Sequence, residues 1–593
     1  MKRYNKQQNP STNWVKILPA LLLFMASCSG DFLERPNKEN PSVDFLQGGD
    51  ANAVQLVNAA YSSLQKQGLY TRTASQIAQF RSDESRITKN TPKMEEDGVS
   101  VATYTNNAGG TLGEFLWRDS YNGIRRSNVA IENINDNENV SDNLKSRLLG
   151  EAYFLRSFYY FHLVLHFGEI IPKQITSKEP LASAFENETA VWNLMIADLK
   201  QAKEYFTEAN FRNDTWEAED QGRANLGAAT GLLGKIYLFY AQMRLNNEKA
   251  YLDSAKQEFL LVADQKVGSY SLLPNYMDNF KNVNEYNDES LFEISFADFG
   301  VKTWEIDQDN SGAVETNRIA KNSTMCDGVG EMWWNEAPTA RILNEYERNP
   351  SGELLDYRCY YTIWFPGGAF YNDYRLIDDV LTENVLAYDQ LPWPGLDNSP
   401  SSTEWGAEYN DYRFYGWRKY GFDYNYWLKD NICSDHVGSD INYRYMRYAD
   451  VLLMLAECEY YLGGDPKKYI NEVRQRSNNQ VADENQSSWG NKDLPYLKSI
   501  GSLPQVENSV YASNLEAAIQ HERMVELACE STRYFDIIRW HKAGLLLDLR
   551  KSGFPKANIT ELIIDQGFNG NFLLPIPQSE LNNNPKMVAN SAN

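Results

Sequence analysis

YRYMRYADVLLMLAECEYYLGG, residues 443–464, runs directly into DPKKYINEVRQRSN, residues 465–478. In the first segment Leu452, Leu455, Ala456 and Tyr460 recur at three- and four-residue steps, which puts them on one face of a helix. Gly463-Gly464 stops that helix, and Asp465-Pro466 starts another, with proline in the first turn where its missing N–H costs nothing. Helix, tight turn and helix form the unit of a tetratricopeptide-like array. Residues 223–264 repeat the plan, with Leu233-Gly234 and Tyr237 on the first helix and a second helix behind it. The full repeat signature is absent, so the pattern predicts helix pairs without a strict repeat.

Working outward, the same periodicity predicts helices over 50–66, 119–135, 142–167, 189–206, 250–264, 514–530 and 533–548, besides 223–245, 444–463 and 466–477. Between about 270 and 440 it fades, and the text turns aromatic and rich in Gly, Asp and Asn, with Trp304, Trp333, Trp334, Trp364, Trp393, Trp405, Trp417 and Trp427. Long stretches of this kind inside a globular chain hold functional loops and short strands. Residues 479–511 form a further polar connection. The expected architecture is mainly α: one body with an N-terminal helical part (28–270), a loop-rich, ligand-binding part (271–440) and a C-terminal helical part (441–593).

The 593 residues carry 57 Lys plus Arg against 80 Asp plus Glu, a formal charge of −23. That argues against a nucleic-acid partner, because neutralising phosphates needs a basic footprint. Trp, Tyr and Phe make up 13% of the chain, against five His and six Cys, so stacking has more residues to draw on than metal or thiol chemistry. The first 27 residues hold Lys2, Arg3, Lys6 and Lys16, no acid, and the apolar run Ile17 to Met25. A basic start, a short apolar run and small residues make a secretory signal, too short to span a bilayer stably. Cys28 follows Met25-Ala26-Ser27 as in the lipobox of bacterial lipoproteins, where that Cys is acylated and becomes the first residue. Several acyl chains there would hold the protein firmly at a membrane surface. Of the later cysteines, Cys458 and Cys529 sit in helical apolar patterns and read as buried thiols, while a disulfide among Cys326, Cys359 and Cys433 stays open.

Four segments together resemble the SusD/RagB family of Bacteroidetes outer-membrane nutrient-binding lipoproteins. They are CSGDFLERP (28–36), EAYFLRSFYYFHLVLHFGEIIP (151–172), the opening pair of segments at 443–478, and HERMVELACESTRYFDIIRW (521–540) with FLLPIPQSELNNNP (572–585). Their order and spacing cover nearly all of the mature chain. Departures are local: Asp450 stands where the family commonly has Glu, Val588 to Asn593 lack the usual Gly-Tyr ending, and after Cys28 only Asp31 and Glu34 make up the acidic export signal. The resemblance implies a SusD-like fold, a lipid-anchored place in the outer membrane facing the cell exterior, and capture of an oligosaccharide or polysaccharide for a TonB-dependent SusC-like transporter. It equally allows a RagB-like protein that handles peptides. Ligand-binding loops of the family come from the segment after the first helix and from the central region, which implies Arg81 and Asp83 on one side and Trp304, Trp333, Trp364 and Tyr371 on the other.

The residues themselves point the same way. Sugar rings present flat C–H faces to aromatic rings, and their hydroxyls need planar donors and acceptors. Trp333-Trp334-Asn335, Trp364, Tyr371-Asn372-Asp373-Tyr374-Arg375 and Trp393 mix these types. Catalytic patterns are thin. Glu526 and Glu530 could serve as an acid–base pair, but Arg523, Glu526, Glu530, Arg533, Asp536 and Arg539 at three- to four-residue steps read as an ion-pair face. His162, His166 and Glu169 have a spacing that metals use, against a bland reading as a packed aromatic surface. His521-Glu522 begins a zinc-protease motif that Val525 breaks. Asp307, Asp309, Ser311 and Gly312 imitate a calcium loop, yet Arg318 stands where the bidentate Glu belongs, which leaves at most a weak structural calcium site and no other cofactor. A surface glycoside hydrolase, whose two carboxylates need only meet in space, and a pure protein-binding scaffold are the competing readings.

Overall fold

The computed structural model describes residues 43–87, 97–178, 181–297, 336–350, 355–364, 416–417, 419–420, 439–478, 502–546 and 572–590. Among them are eleven helices of eight residues or more: α1 (Asp50–Tyr61), α2 (Thr73–Phe80), α3 (Thr111–Ile134), α4 (Asp142–Phe167), α5 (Ala190–Glu208), α6 (Leu226–Arg244), α7 (Lys249–Ala263), α8 (Tyr448–Leu462), α9 (Lys467–Asn478), α10 (Leu515–Glu526) and α11 (Arg533–Lys542). Short strands are few: β1 (Ser85–Ile87), β2 (Ser290–Ile294), β3 (Glu336–Pro338), β4 (Ile363–Trp364), β5 (Gly416–Trp417) and β6 (Tyr443–Arg447). The mainly α expectation and the helix pairs stand. No described helix is long and apolar enough to cross a membrane.

α4 is the axis of the N-terminal part. From Phe154 to Phe167 every side chain is buried, so this stretch has no solvent face and is wrapped by neighbours, α3 and α5 foremost. Its start is tied to that of α1, because Asp50 accepts from the Ser141 backbone N–H at 2.8 Å and the Ser141 hydroxyl at 3.1 Å. α6 and α7 form one hairpin, α8 and α9 another, and α7 packs on α8. The turn of the second hairpin works as its sequence requires: Gly463 adopts a left-handed φ of 83°, and Asp465 accepts from the Lys467 N–H that opens α9.

Two expectations shift. Residues 444–447, expected to open the helix of 444–463, belong instead to β6, paired antiparallel with β2 through Ser290↔Arg447 and Ile294↔Tyr443. Tyr-Arg-Tyr-Met-Arg fits a strand as well as a helix, and the partner strand decides. α2 escaped the periodicity reading because all eight of its residues are buried, Thr73, Ser75, Gln76 and Gln79 included, so no polar face marks it. One large apolar core runs through the helices. A smaller one joins Ile342, Tyr346, Cys359, Ile363 and Trp417 to Met524, Val525, Ala528 and Cys529. α10 stands between them, with Ala518 and Ile519 in the first and Met524 and Val525 in the second. Cys359, Cys458 and Cys529 are buried free thiols, while Cys326 and Cys433 lie outside the described residues.

Candidate functional site

The charged run of 521–540 is buried rather than solvated, and most of its partners lie on other elements. Glu526 receives Arg447 at 3.1 Å, Arg358 at 3.1 Å and Arg476 in closer contact. Glu530 pairs with Lys419 and Arg447 at 2.7 Å, and Glu289 with Arg447 and Arg476. With Asp356 and Glu522 on Arg358, and Glu522 also on Arg474, five cations face five carboxylates inside the protein. Burial pushes the Glu526 carboxyl up, but Arg476, Arg447 and Arg358 outweigh it and hold it at about 2. A carboxylate so fixed is an ionic clamp, not a proton shuttle. Beside it Arg523 joins Asp450 (2.9 Å) to Asp536 (2.8 Å), and Arg539 joins Asp536 to Glu457, locking α8, α10 and α11 together.

His162 and His166 belong to the packed interior. His162 Nε2 shares a 2.7 Å hydrogen bond with the Tyr70 hydroxyl, and burial lowers its pKa to about 3. Burial, then the neighbouring His162 and Arg81, pushes His166 down as well, and the two rings lie 6.4 Å apart. Both are neutral imidazoles filling the aromatic core.

Arg81 and Asp83, expected to face a ligand, are 2% and 1% exposed. Arg81 caps the C-terminal end of α2 and is held inside the protein: its Nε donates to the Val101 carbonyl (3.1 Å), its Nη1 to the Tyr534 hydroxyl (3.1 Å) and Phe572 carbonyl (2.9 Å), its Nη2 to Asn106. Its guanidinium lies 4.7 Å over the Tyr104 ring, whose hydroxyl donates back to the Arg81 carbonyl at 2.8 Å. Asp83 takes a two-point ion pair from Arg533 (2.7 and 2.8 Å) and a third contact from Arg341 (2.9 Å). Burial raises its carboxyl, yet Arg533 and Arg341 bring it down to about 2. In this structure both residues therefore face inward and brace the surrounding loops.

What they brace is a junction. β1 pairs antiparallel with β3 (Ser85↔Pro338, Ile87↔Glu336), and Thr339 adds its N–H to the Glu84 carbonyl and its hydroxyl to the Asp83 carbonyl. The segment after the first helices is thereby stitched to the central region. Beside it, residues 97–110 form a loop that opens with a five-residue helix, Gly98–Ala102, and continues as a polar stretch with Thr103, Thr105, Asn107 and Gly109 exposed. Tyr104 there takes a positive φ of 57°, a conformation that costs about 1–3 kcal/mol and is found where surroundings impose it. Sequence reasoning passed over this loop, though Thr-Tyr-Thr-Asn-Asn-Ala-Gly-Gly between two periodic segments is a loop signal. Within the junction Glu84 and Glu336 are buried, and Oε2 of each has no hydrogen-bond partner among the described residues. Burial lifts both to about 8, helped at Glu84 by the charge of Asp83 and at Glu336 by Glu84.

Of the aromatic candidates, Trp364 lies in β4, whose backbone pairs with Gly416 of β5. Trp304, Trp333, Trp334, Tyr371 and Trp393, like Cys28 and the calcium-like 307–318 stretch, lie outside the described residues.

Comparison with known proteins gives a consistent result. The model of the SusD family matches residues 262–592, and a second, described as starch-binding associating with outer membrane, matches residues 31–238. SusD-like protein P25 of Formosa agariphila is 24% identical over 510 residues, 80% of this chain and 78% of that protein. SusD-like protein P2 of the same organism is 24% identical over 584 residues, 96% of this chain and 97% of that one. Among solved structures, a SusD homolog from Bacteroides thetaiotaomicron matches with a TM-score of 0.69 at 20% identity, covering 93% of this chain and 99% of that one. Surface glycan-binding protein A of that species, solved with laminarihexaose, matches with a TM-score of 0.62 at 19% identity, covering 91% and 99%. At such identities the structural likeness establishes the fold.

Proposed function

The chain belongs to the SusD family, and from that premise we propose that it is a non-catalytic, lipid-anchored protein of the outer-membrane surface that binds an oligosaccharide or polysaccharide and passes it to a SusC-like TonB-dependent transporter. Cys28 would carry the anchor. The loop 97–110 would form one side of the ligand site, and the central aromatics Trp304, Trp333, Trp334, Trp364, Tyr371 and Trp393 the other. Arg81 and Asp83 would act from behind, as positioning residues.

The observation that carries this reading is the β1–β3 junction, which joins the two segments that ligand-binding loops of the family come from. Trp333 and Trp334 stand two or three positions before the first residue of β3 in the sequence. The glycan class draws support from relatives: one neighbour is a laminarin-binding SusD-like protein, and another holds laminarihexaose. A non-catalytic role draws support from Glu526, which is spent in ion pairs rather than open to substrate. Several stacking contacts worth about a kcal/mol each would give micromolar or weaker binding.

The test is intrinsic Trp fluorescence of the purified protein titrated with host, plant and microbial polysaccharides, each mixture checked for breakdown products. A saturable shift with intact ligand is expected. Breakdown products would make the protein an enzyme, and no shift with any glycan would turn the reading to peptides or to a scaffold.

A further inference from the structure

The β1–β3 junction encloses two carboxyl groups that take no part in the ion pairs around Asp83. Glu84 immediately precedes β1 and Glu336 opens β3, and the two residues are 0% and 3% exposed. The Cys529 backbone N–H donates to Glu84 Oε1 at 3.0 Å, whereas Oε2 of both carboxyls is left without a donor among the described residues. That N–H belongs to the turn between α10 and α11, where Cys529 and Ser531 take positive φ values of 63° and 58°, a backbone that persists only under outside restraint.

The surrounding groups supply no free cation. Asp83, next in the chain, is itself a carboxylate, and Arg533 of α11 gives it both arms at 2.7 and 2.8 Å. Lys419, near β5, is held by Glu530 at 2.7 Å and by the carbonyls of Ala528 (2.8 Å) and Glu526 (3.1 Å). Tyr443 of β6 donates its hydroxyl to the Glu530 carbonyl at 2.7 Å. Burial, then the charges of Glu336 and Glu84, pushes the Cys529 thiol up. α2, the helix Gly98–Ala102 and β5, which pack against the two strands, carry no ionisable side chain. A carboxylate in a dry site without a cation costs more than giving up its charge, so both groups are neutral acids while the junction is closed.

We propose that the β1–β3 junction is a pH-sensitive clasp, closed while Glu84 and Glu336 keep their protons and loosened when they lose them, and that loosening weakens the glycan site whose two sides it joins. The effect on binding rests on the glycan reading above; the clasp itself does not. Only three residue pairs hold β1 to β3, and a two-stranded ribbon that short has little stability of its own. Opening lets water reach both groups, which then ionise as ordinary carboxylates. The closed form binds more protons than the open one, so closure is strongest below about pH 4.5 and is lost as the pH rises through about 8.

Two readouts between pH 5.5 and 8 test this, below the range in which His521, linked to Asp83 through Glu345 and Arg341, loses its proton at about 9. Amide exchange, corrected for its intrinsic pH dependence, should accelerate about tenfold in 84–87 and 336–339 while α4 keeps its protection. Laminarihexaose, followed by Trp fluorescence, should bind about tenfold more weakly at pH 8 than at pH 5.5. In the double variant Glu84→Gln, Glu336→Gln, whose amides still accept from the Cys529 N–H and cannot ionise, both quantities should be independent of pH. Should that variant not fold, Glu336→Gln alone, which leaves the Cys529 contact intact, should show about half the logarithmic pH dependence. Exchange independent of pH in the parent, or equal acceleration in a folded variant, would overturn the clasp. Unchanged affinity beside accelerated exchange would overturn its control of the glycan site. Absence of laminarihexaose binding at both pH values would count against the glycan reading, and the exchange result would still uphold or overturn the clasp.

Discussion

Three guanidinium groups converge on the Glu526 carboxylate, and all four groups are buried. Removing one member of such a cluster leaves its partners buried with uncompensated charge, which costs about 3–5 kcal/mol. Glu526→Gln should therefore lower the urea midpoint strongly, whereas Glu186→Gln, at a surface pair with Lys173, should leave it unchanged. His521 makes a different prediction. It sits between Glu345 (2.9 Å) and Glu347 (3.4 Å), and although burial works against its charge, the two carboxylates raise its pKa from 6.5 to about 9. Its protonated form is favoured by folding, so this contribution is complete below about pH 6.5 and is lost as the pH rises through about 9. Glu345 and Glu347, held at about 2, lose theirs as the pH falls from about 4.5 toward 2. Thermal melts of the parent and of His521→Gln across pH 5 to 10 should converge at the alkaline end. The ion-pair character of these residues is legible from their spacing, but not their partners: Glu526 meets Arg447, 79 positions away, only because β6 lies beside α10 in space.

At the scale of elements, helices announce themselves where one face is apolar and fall silent where every face is buried. α4 matches its expected span of 142–167 to the residue, whereas α2, wholly interior, left no pattern to read. Close helix packing adds a constraint that periodicity does not carry. A Cβ at Gly123 of α3 would come within 2.3 Å of the Tyr159 ring of α4, which is itself pinned by a 2.6 Å hydrogen bond to the Ala60 carbonyl. Gly123→Ala should therefore destabilise the protein by about 1–3 kcal/mol, read as a lower melting temperature, despite alanine's better helix propensity. The loop 97–110 depends instead on one side chain from a neighbouring element. Arg81→Ala removes the stacking on Tyr104 and the bond to the Val101 carbonyl, so amide exchange should accelerate in 97–110 while α4 keeps its protection.

For the whole molecule, the proposed anchor gives the simplest expectation: Cys28→Ser should abolish incorporation of labelled palmitate and release the protein from the membrane fraction, with the fold unchanged. The helical class, the hairpin at Gly463 and the ion-pair nature of 521–540 were determined by the sequence alone, because each rests on residues within a few positions of one another. The pairing of β1 with β3, the turning inward of Arg81 and Asp83 and the conversion of 444–447 from helix to strand were decided only by the tertiary structure. They depend on contacts between segments tens to hundreds of residues apart, and burial, which turns a charged side chain from a surface group into a clamp, is a property of the folded whole.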